Sequence, residues 1–213
     1  MAPSSGYSKE VNVREYKVII LAAYVFFTVG MFSGLVPVSH AVDDVALPGR
    51  RPPVESGFMV GYGVGNVAEG GYEPMFLLCH LGYDVTPRIA ALKDAAGTLS
   101  IFVEPQIVPV FNRETNIEFG VGLGVKYRYP LSEMVSYYAL LSVGPHYVTV
   151  DTTDQANGFI FSDTIGLGLA FFLSETFSFN MEYRLRHMSN AGLDSPNRGI
   201  NTHNVLAGVS FFF

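Results

Sequence analysis

The chain has 213 residues, of which 49% are hydrophobic and only 15% are charged, a balance that excludes a disordered chain and disfavours an ordinary soluble enzyme. Its 13 Lys and Arg residues and formal net charge of −6 predict no basic surface for nucleic acid. A single cysteine, Cys79, excludes an internal disulfide and a zinc cluster built on several thiolates. The 22 glycines, 17 phenylalanines and 12 tyrosines indicate a β protein with apolar surface.

The first segment, residues 1–41, has the pattern of a secretory signal peptide. Three basic residues precede residues 18–36, which carry no charge, and Ser39 and Ala41 are small residues suited to a cleavage site. A permanent transmembrane anchor is the alternative, because 19 apolar residues can span a bilayer. We predict cleavage after Ala41, which leaves residues 42–213 as one domain.

Beyond residue 41, apolar and small or polar residues alternate, which is the period of a β-strand. Pro105, Pro109 and Pro145 interrupt this pattern and are expected at bends or bulges. Turn-prone stretches separate eight segments, which we predict to be strands: 57–66, 73–85, 98–111, 116–129, 135–150, 159–173, 175–189 and 200–213.

The composition of the two strand faces predicts a transmembrane barrel. From Ile117 to Tyr129, odd positions are apolar throughout, and even positions are Glu, Gly, Lys or Arg. A bulky apolar face suits lipid, whereas glycine and charge suit a narrow polar lumen. The fold class is therefore an all-β, eight-stranded antiparallel transmembrane β-barrel, with a soluble ligand-carrying barrel as the alternative.

Two polar residues break the apolar face of the seventh segment. His187 and Ser189 share the parity of Phe177 to Leu185 and so point outward, where a polar group lacks partners. A histidine beside a serine hydroxyl supplies a general base and a nucleophile. On the eighth segment, Asn201 and His203 also face outward, and either can lie beside His187 as the group that orients the imidazole.

The run from His187 through Met188, Ser189, Asn190 and Ala191 to Gly192, followed by Pro196-Asn197-x-Gly199 and an aromatic last strand, resembles the lipid A 3-O-deacylase family. The resemblance implies an eight-stranded, multi-pass barrel of the bacterial outer membrane that acts on lipopolysaccharide. It implies removal of the ester-linked 3-hydroxyacyl chain at position 3 of lipid A. By the same resemblance, Ser189 is the nucleophile and His187 the base, Asn190 and Gly192 help to hold the oxyanion, and Asn197 supports their loop.

One position departs from the family pattern. The founding members carry Glu twelve residues after the nucleophilic serine, where this chain has Asn201. Outer-membrane phospholipase A has Asn at that spacing, although it is a longer, twelve-stranded protein. We assign Asn201 as the third catalytic residue, with His203 or Asp194 as rivals. Phospholipase A activity and a non-catalytic envelope barrel are the alternative functions, and a homodimer is left open.

The remaining titratable residues indicate no metal or cofactor. Most of them have lumen parity, Asp163 excepted, and in a lumen such groups pair or hydrate more often than they bind metal. These residues are His80, His146, Glu104, Asp163 and Glu182.

Overall fold

A computed structural model describes residues 51–111 and 116–213; the predicted signal peptide lies outside these residues. The alternating segments form strands because each buries one face and exposes the other. The strands are β1 (Val54–Val67), β2 (Gly70–Tyr72), β3 (Met75–Asp84), β4 (Thr98–Val110), β5 (Asn116–Pro130), β6 (Val135–Val148), β7 (Gly158–Ser174), β8 (Phe177–Ser189) and β9 (Ile200–Phe212).

The eight long strands form one closed antiparallel barrel, which confirms the predicted fold class. Each long strand pairs with its neighbour in the chain, and β9 pairs with β1 from Glu55↔Phe212 to Gly65↔Thr202. The three-residue strand β2 pairs with β1 as an extension of the first hairpin and was not predicted. Closure leaves none of the eight long strands with a free edge, as a membrane barrel requires.

The two ends of the barrel are distinguished by the connections that lie at each of them. At one end, hereafter the turn end, tight turns join β5 to β6 and β7 to β8, and two short 3-10 helices, Thr86–Arg88 and Ala90–Leu92, lie between β3 and β4. At the other end, hereafter the loop end, longer segments 149–157 and 190–199 follow β6 and β8. No helix in the described part of the chain is long and apolar enough to cross a membrane.

The apolar faces point outward and the polar faces fill the lumen, as the alternation predicts. Leu123 on β5 is 54% exposed, whereas the neighbouring charged residues Lys126 and Arg128 are buried inside the barrel. This inverted arrangement is typical of barrels that contact lipid and argues against the soluble alternative.

Ion pairs across the lumen fix strand β8, which carries the predicted catalytic residues. The guanidinium of Arg184 donates to both carboxylate oxygens of Glu104 on β4, at 2.7 and 2.9 Å. Arg186 donates to both oxygens of Glu118 on β5, at 2.7 and 3.0 Å. The inner face of β8 is therefore tied to the opposite wall by two bidentate pairs.

Three of the polar lumen residues, His80, Glu104 and Glu182, pair with other side chains as expected. His80 Nδ1 and a carboxylate oxygen of Glu104 are 2.8 Å apart, and Glu182 accepts a hydrogen bond from the Tyr138 hydroxyl at 2.9 Å. His146 is buried, with Nδ1 at 3.3 Å from the carbonyl oxygen of Gly144. Asp163 differs from these residues because it faces outward.

The three prolines expected at bends or bulges cause no shift of strand register, and bends at these positions stay a prediction. Strand pairing keeps one register on both sides of Pro105, Pro109 and Pro145. A proline removes one N–H donor but leaves the other positions of the ladder free to pair, so it need not shift the register. The irregularity instead lies at Phe172 and Ser174 in the pairing of β7 with β8.

Candidate active site on the outer face of the barrel

His187 and Ser189 lie two residues apart on the outer face of β8, near the loop end, and both are half-buried. Across the two neighbouring strands, His187 is paired with Asp163 on β7 and Asn201 on β9. Ser189 is paired with Phe161 on β7. The strand register therefore places the imidazole in a cross-strand row between an aspartate and an asparagine.

The imidazole is hydrogen-bonded to Asn201, one of the three partners considered from the sequence. His187 Nδ1 and Asn201 Oδ1 are 2.8 Å apart. An amide oxygen only accepts hydrogen bonds, so Nδ1 carries the hydrogen and donates it. Nε2 is then left with its lone pair, which is the tautomer that a general base for a serine hydroxyl requires.

The two rival third residues have other partners. The His203 ring is bonded through Nδ1 to the hydroxyl of Tyr183, at 2.6 Å. Asp194 accepts hydrogen bonds from Asn190 Nδ2 through its carbonyl, at 2.9 Å, and from the backbone N–H of Ser195 through its side chain, at 2.7 Å. Among the described residues, neither is hydrogen-bonded to His187.

No hydrogen bond joins Ser189 to His187 in the described part of the chain. The two side chains share a face and are neighbours along the strand, so rotation about χ1 of Ser189 brings its hydroxyl toward the imidazole. Catalytic hydrogen bonds are often long in the absence of substrate and shorten when it binds. The placement is therefore compatible with a base and nucleophile pair.

The loop after Ser189 is closed by its own hydrogen bonds. The backbone N–H of Asn190 donates to Asn197 Oδ1, and the backbone N–H of Gly192 donates to Asn190 Oδ1, both at 2.9 Å. Ala191 and Gly192 have positive φ angles of 55° and 80°, which turn the chain sharply after the strand. Asn197 thus holds the start of the loop beside Ser189.

Gly199 packs directly against the imidazole, a contact that sequence reasoning missed. A Cβ at this position would lie 2.5 Å from His187 Cε1 and 3.1 Å from Nε2, and the φ angle is +78°. Only glycine combines this backbone angle with this close approach. The position of Gly199 shortly after the Pro196-Asn197 pair was the only feature of the sequence that marked this residue. Strand periodicity does not predict a contact between a loop and a strand.

A second loop braces the first. The backbone N–H of Ala156 donates to the Pro196 carbonyl at 2.9 Å, and that of Arg198 donates to the Asp154 carbonyl at 2.7 Å. The Asp154 carboxylate accepts the N–H of Ala68 at 2.6 Å, which links both loops to the first hairpin. Segment 149–157 therefore fixes the loop that covers the imidazole.

An open groove with a volume of about 750 Å³ runs along the outer wall from the imidazole across β7, β6 and β5. Its polar end contains His187 and Asn201, and Ser189 lies one alternate position further along β8 toward the loop end. Its apolar part is formed by Leu123, Val125, Leu141, Val143, Ile165 and Leu185. An apolar groove with polar side chains at one end suits a ligand that has a hydrocarbon chain and a polar group.

The model of the lipid A 3-O-deacylase (PagL) family matches residues 88–210, which include all the residues of the candidate site. The chain belongs to this family. Among proteins with curated descriptions, none matches this chain in sequence.

Solved structures agree on the fold. The crystal structure of the outer membrane enzyme PagL is similar with a TM-score of 0.53 and 20% identity, over 70% of this chain and 97% of that one. Neisserial surface protein A (NspA) is similar with a TM-score of 0.54 and 13% identity, over 75% of this chain and 97% of that one. At these identities the similarity supports the eight-stranded barrel fold only, and any chemistry has to be inferred from the residues of the site.

Proposed function

We propose that this chain is a serine esterase of the bacterial outer membrane that removes the ester-linked 3-hydroxyacyl chain from lipid A of lipopolysaccharide. The observation that carries the proposal is the oriented imidazole of His187, bonded to Asn201 and beside Ser189 on an outward, apolar barrel wall. Membership of the lipid A 3-O-deacylase family supports the choice of substrate. We also propose that residues 1–41 are a signal peptide that directs the chain to this membrane.

The proposed reaction has two steps. His187 Nε2 takes the proton of the Ser189 hydroxyl while Oγ forms a bond to the ester carbonyl carbon; the bond to the sugar oxygen then breaks, and that oxygen takes the proton from the imidazolium. Water next attacks the acyl-enzyme with His187 again as base, releasing the 3-hydroxy acid and restoring the serine. Asn201 holds the ring in the required tautomer throughout.

The oxyanion is proposed to be held at the start of the loop after Ser189. Asn190 Nδ2 carries two hydrogens, only one of which is needed for its bond to the Asp194 carbonyl. The N–H of Gly192 is bonded to Asn190 Oδ1 in this structure and would exchange that bond for one to the oxyanion. Asn197 is proposed to act through Asn190, whose N–H it accepts.

Mass spectrometry of lipid A from cells that express the protein tests this function. We expect the wild type to remove one 3-hydroxyacyl mass and Ser189→Ala to leave lipid A intact. Ser56→Ala is the matched control, because Ser56 also faces outward but lies at the turn end on β1. If fatty acid is released from phospholipid alone, the activity is that of a phospholipase. If neither lipid changes, the proposed esterase function is overturned.

A further inference from the structure

One charged residue interrupts the apolar outer wall. In the eight long strands, which lie within the described residues, Asp163 is the only Asp, Glu, Lys or Arg at an outward-facing position. Its outward neighbours along β7 are Phe161 and Ile165, and its partner on β6 is Val143. A carboxylate in such surroundings is poorly solvated and costs stability, so its presence on this wall points to a functional role.

The register places this charge beside the imidazole. Asp163 and His187 are directly opposite each other in the pairing of β7 with β8, and both line the groove. Side chains of opposed residues in an antiparallel pair begin about 5 Å apart at Cβ. No hydrogen bond or ion pair to Asp163 is present among the described residues, so the carboxylate is not committed to another side chain.

Asp163 carries the negative charge that Asn201 lacks. Asn201 orients the ring by accepting from Nδ1, but a neutral amide adds no negative charge beside the imidazolium that forms when His187 takes the serine proton. Asp163 stands on the other strand that neighbours His187, in the cross-strand row Asn201, His187, Asp163. In an apolar environment, a charge acts strongly on a neighbouring ionisable group, even when the two form no direct ion pair.

We propose that Asp163 is a positioning residue for His187: its carboxylate stabilises the imidazolium, so that orientation and charge, usually supplied by one acidic residue, are divided between Asn201 on β9 and Asp163 on β7. This inference rests on the proposed esterase function. Asp163 does not touch the reacting atoms, and it acts only through the ring.

Steady-state hydrolysis of purified lipid A by the folded full-length protein in detergent tests the proposal. Asp163→Asn keeps the shape and removes the charge, and we expect kcat to fall about 10- to 100-fold with KM within about twofold. Asp151→Asn is the control, since it removes an exposed carboxylate at the loop end outside the row, and its kcat should equal that of the wild type.

The decisive variant combines Asp163→Asn with Asn201→Glu, which returns a negative charge to the other side of the ring. We expect the double variant to recover kcat to within about threefold of Asn201→Glu alone. A purely structural role for Asp163 would not be rescued from β9. The proposal is overturned if Asp163→Asn has the kcat of the wild type or if this variant changes KM rather than kcat. It is also overturned if adding Asn201→Glu to Asp163→Asn fails to restore kcat.

The esterase function itself has a separate test in the same assay. Full activity in Ser189→Ala would overturn the esterase mechanism and, with it, the role of Asp163. An inactive Ser189→Ala together with a fully active Asp163→Asn would overturn the role of Asp163 alone. Heat-modifiable migration in gel electrophoresis verifies that each variant is a folded barrel.

Discussion

Gly199 lies against the imidazole of His187 so closely that a Cβ would be 2.5 Å from Cε1. The loop backbone thus forms one wall of the ring's environment, while Asn201 holds the ring through Nδ1. The position of the His187 ring therefore depends on a loop contact as well as on its own strand.

Substitution of Gly199 by alanine is expected to displace the imidazole. We predict that Gly199→Ala lowers lipid A hydrolysis at least ~10²-fold, because small misplacements of a base are costly. Gly158→Ala is the control: its φ angle is +96°, so the backbone strain is similar, but no atom lies within 4 Å of the added Cβ. Equal activity in the two variants would show that the contact with His187 is unimportant.

The role of Asn201 is tested by a graded series. Ser189→Ala and His187→Ala should each lower hydrolysis by at least ~10³, as in triads generally. Asn201→Ala should cost roughly 10–10³, because the ring loses its orientation but keeps its proton-accepting nitrogen. Asn201→Glu should preserve or raise the rate, since a carboxylate stabilises the imidazolium.

The rival residues complete that series. His203→Ala and Asp194→Ala should have smaller effects than Asn201→Ala, since neither side chain is bonded to His187. The measurement is the initial rate for each variant on the same lipid A preparation. An inactive Asp194→Ala beside a fully active Asn201→Ala would reverse the assignment.

The brace between the two loops should affect catalysis more than folding. Asp154→Ala removes the carboxylate that accepts the N–H of Ala68, at 2.6 Å, and contacts Arg198 Nη1, at 3.4 Å. We predict a severalfold loss of hydrolysis with an unchanged unfolding midpoint, because the loops contribute little to the barrel wall. Asp151→Asn is again the control, and an unchanged rate in Asp154→Ala would mean that the loop holds its shape unaided.

The lumen pairs should contribute to stability in a coupled way. Glu118→Gln leaves the buried guanidinium of Arg186 without its charged partner, and we expect a loss of about 3–5 kcal/mol in the free energy of unfolding. The double variant Glu118→Gln with Arg186→Met should recover much of this loss, because it removes the uncompensated charge. Urea unfolding in detergent measures both, and additive effects would contradict the coupling.

The barrel could be predicted from the sequence because its strands alternate between lipid-facing and lumen-facing residues. The alternation predicted a strand over residues 98–111, and strand Thr98–Val110 is observed. The prediction works because successive residues of a strand face lipid and lumen in turn. Strand β2 was missed because three residues are too few to show a period. The outward parity of His187 and Ser189 followed from the same rule.

Contacts between elements could not be predicted in this way. The outward parity of Asp163 was visible, but its position opposite His187 depends on the register of β7 with β8, which includes an irregularity at Phe172 and Ser174. The contact of Gly199 with the imidazole depends on a loop held by another loop. Such contacts are set by three-dimensional packing and leave no repeating pattern in the sequence.

Strand β9, which carries Asn201, forms the seam with β1, and Gly65↔Thr202 is the last pair of that seam toward the loop end. The hydrogen-bond partner of His187 thus stands on a strand that gains its second neighbour, β1, only when the sheet closes into a barrel. An open sheet would contain Ser189 and His187 on β8. In that sheet, β9, which carries Asn201, would be paired only with β8 and not with β1. If Ser189 acts as proposed, ester hydrolysis begins only after β9 has paired with β1. The hydrolysis rate therefore also reports how much of the protein has completed barrel assembly.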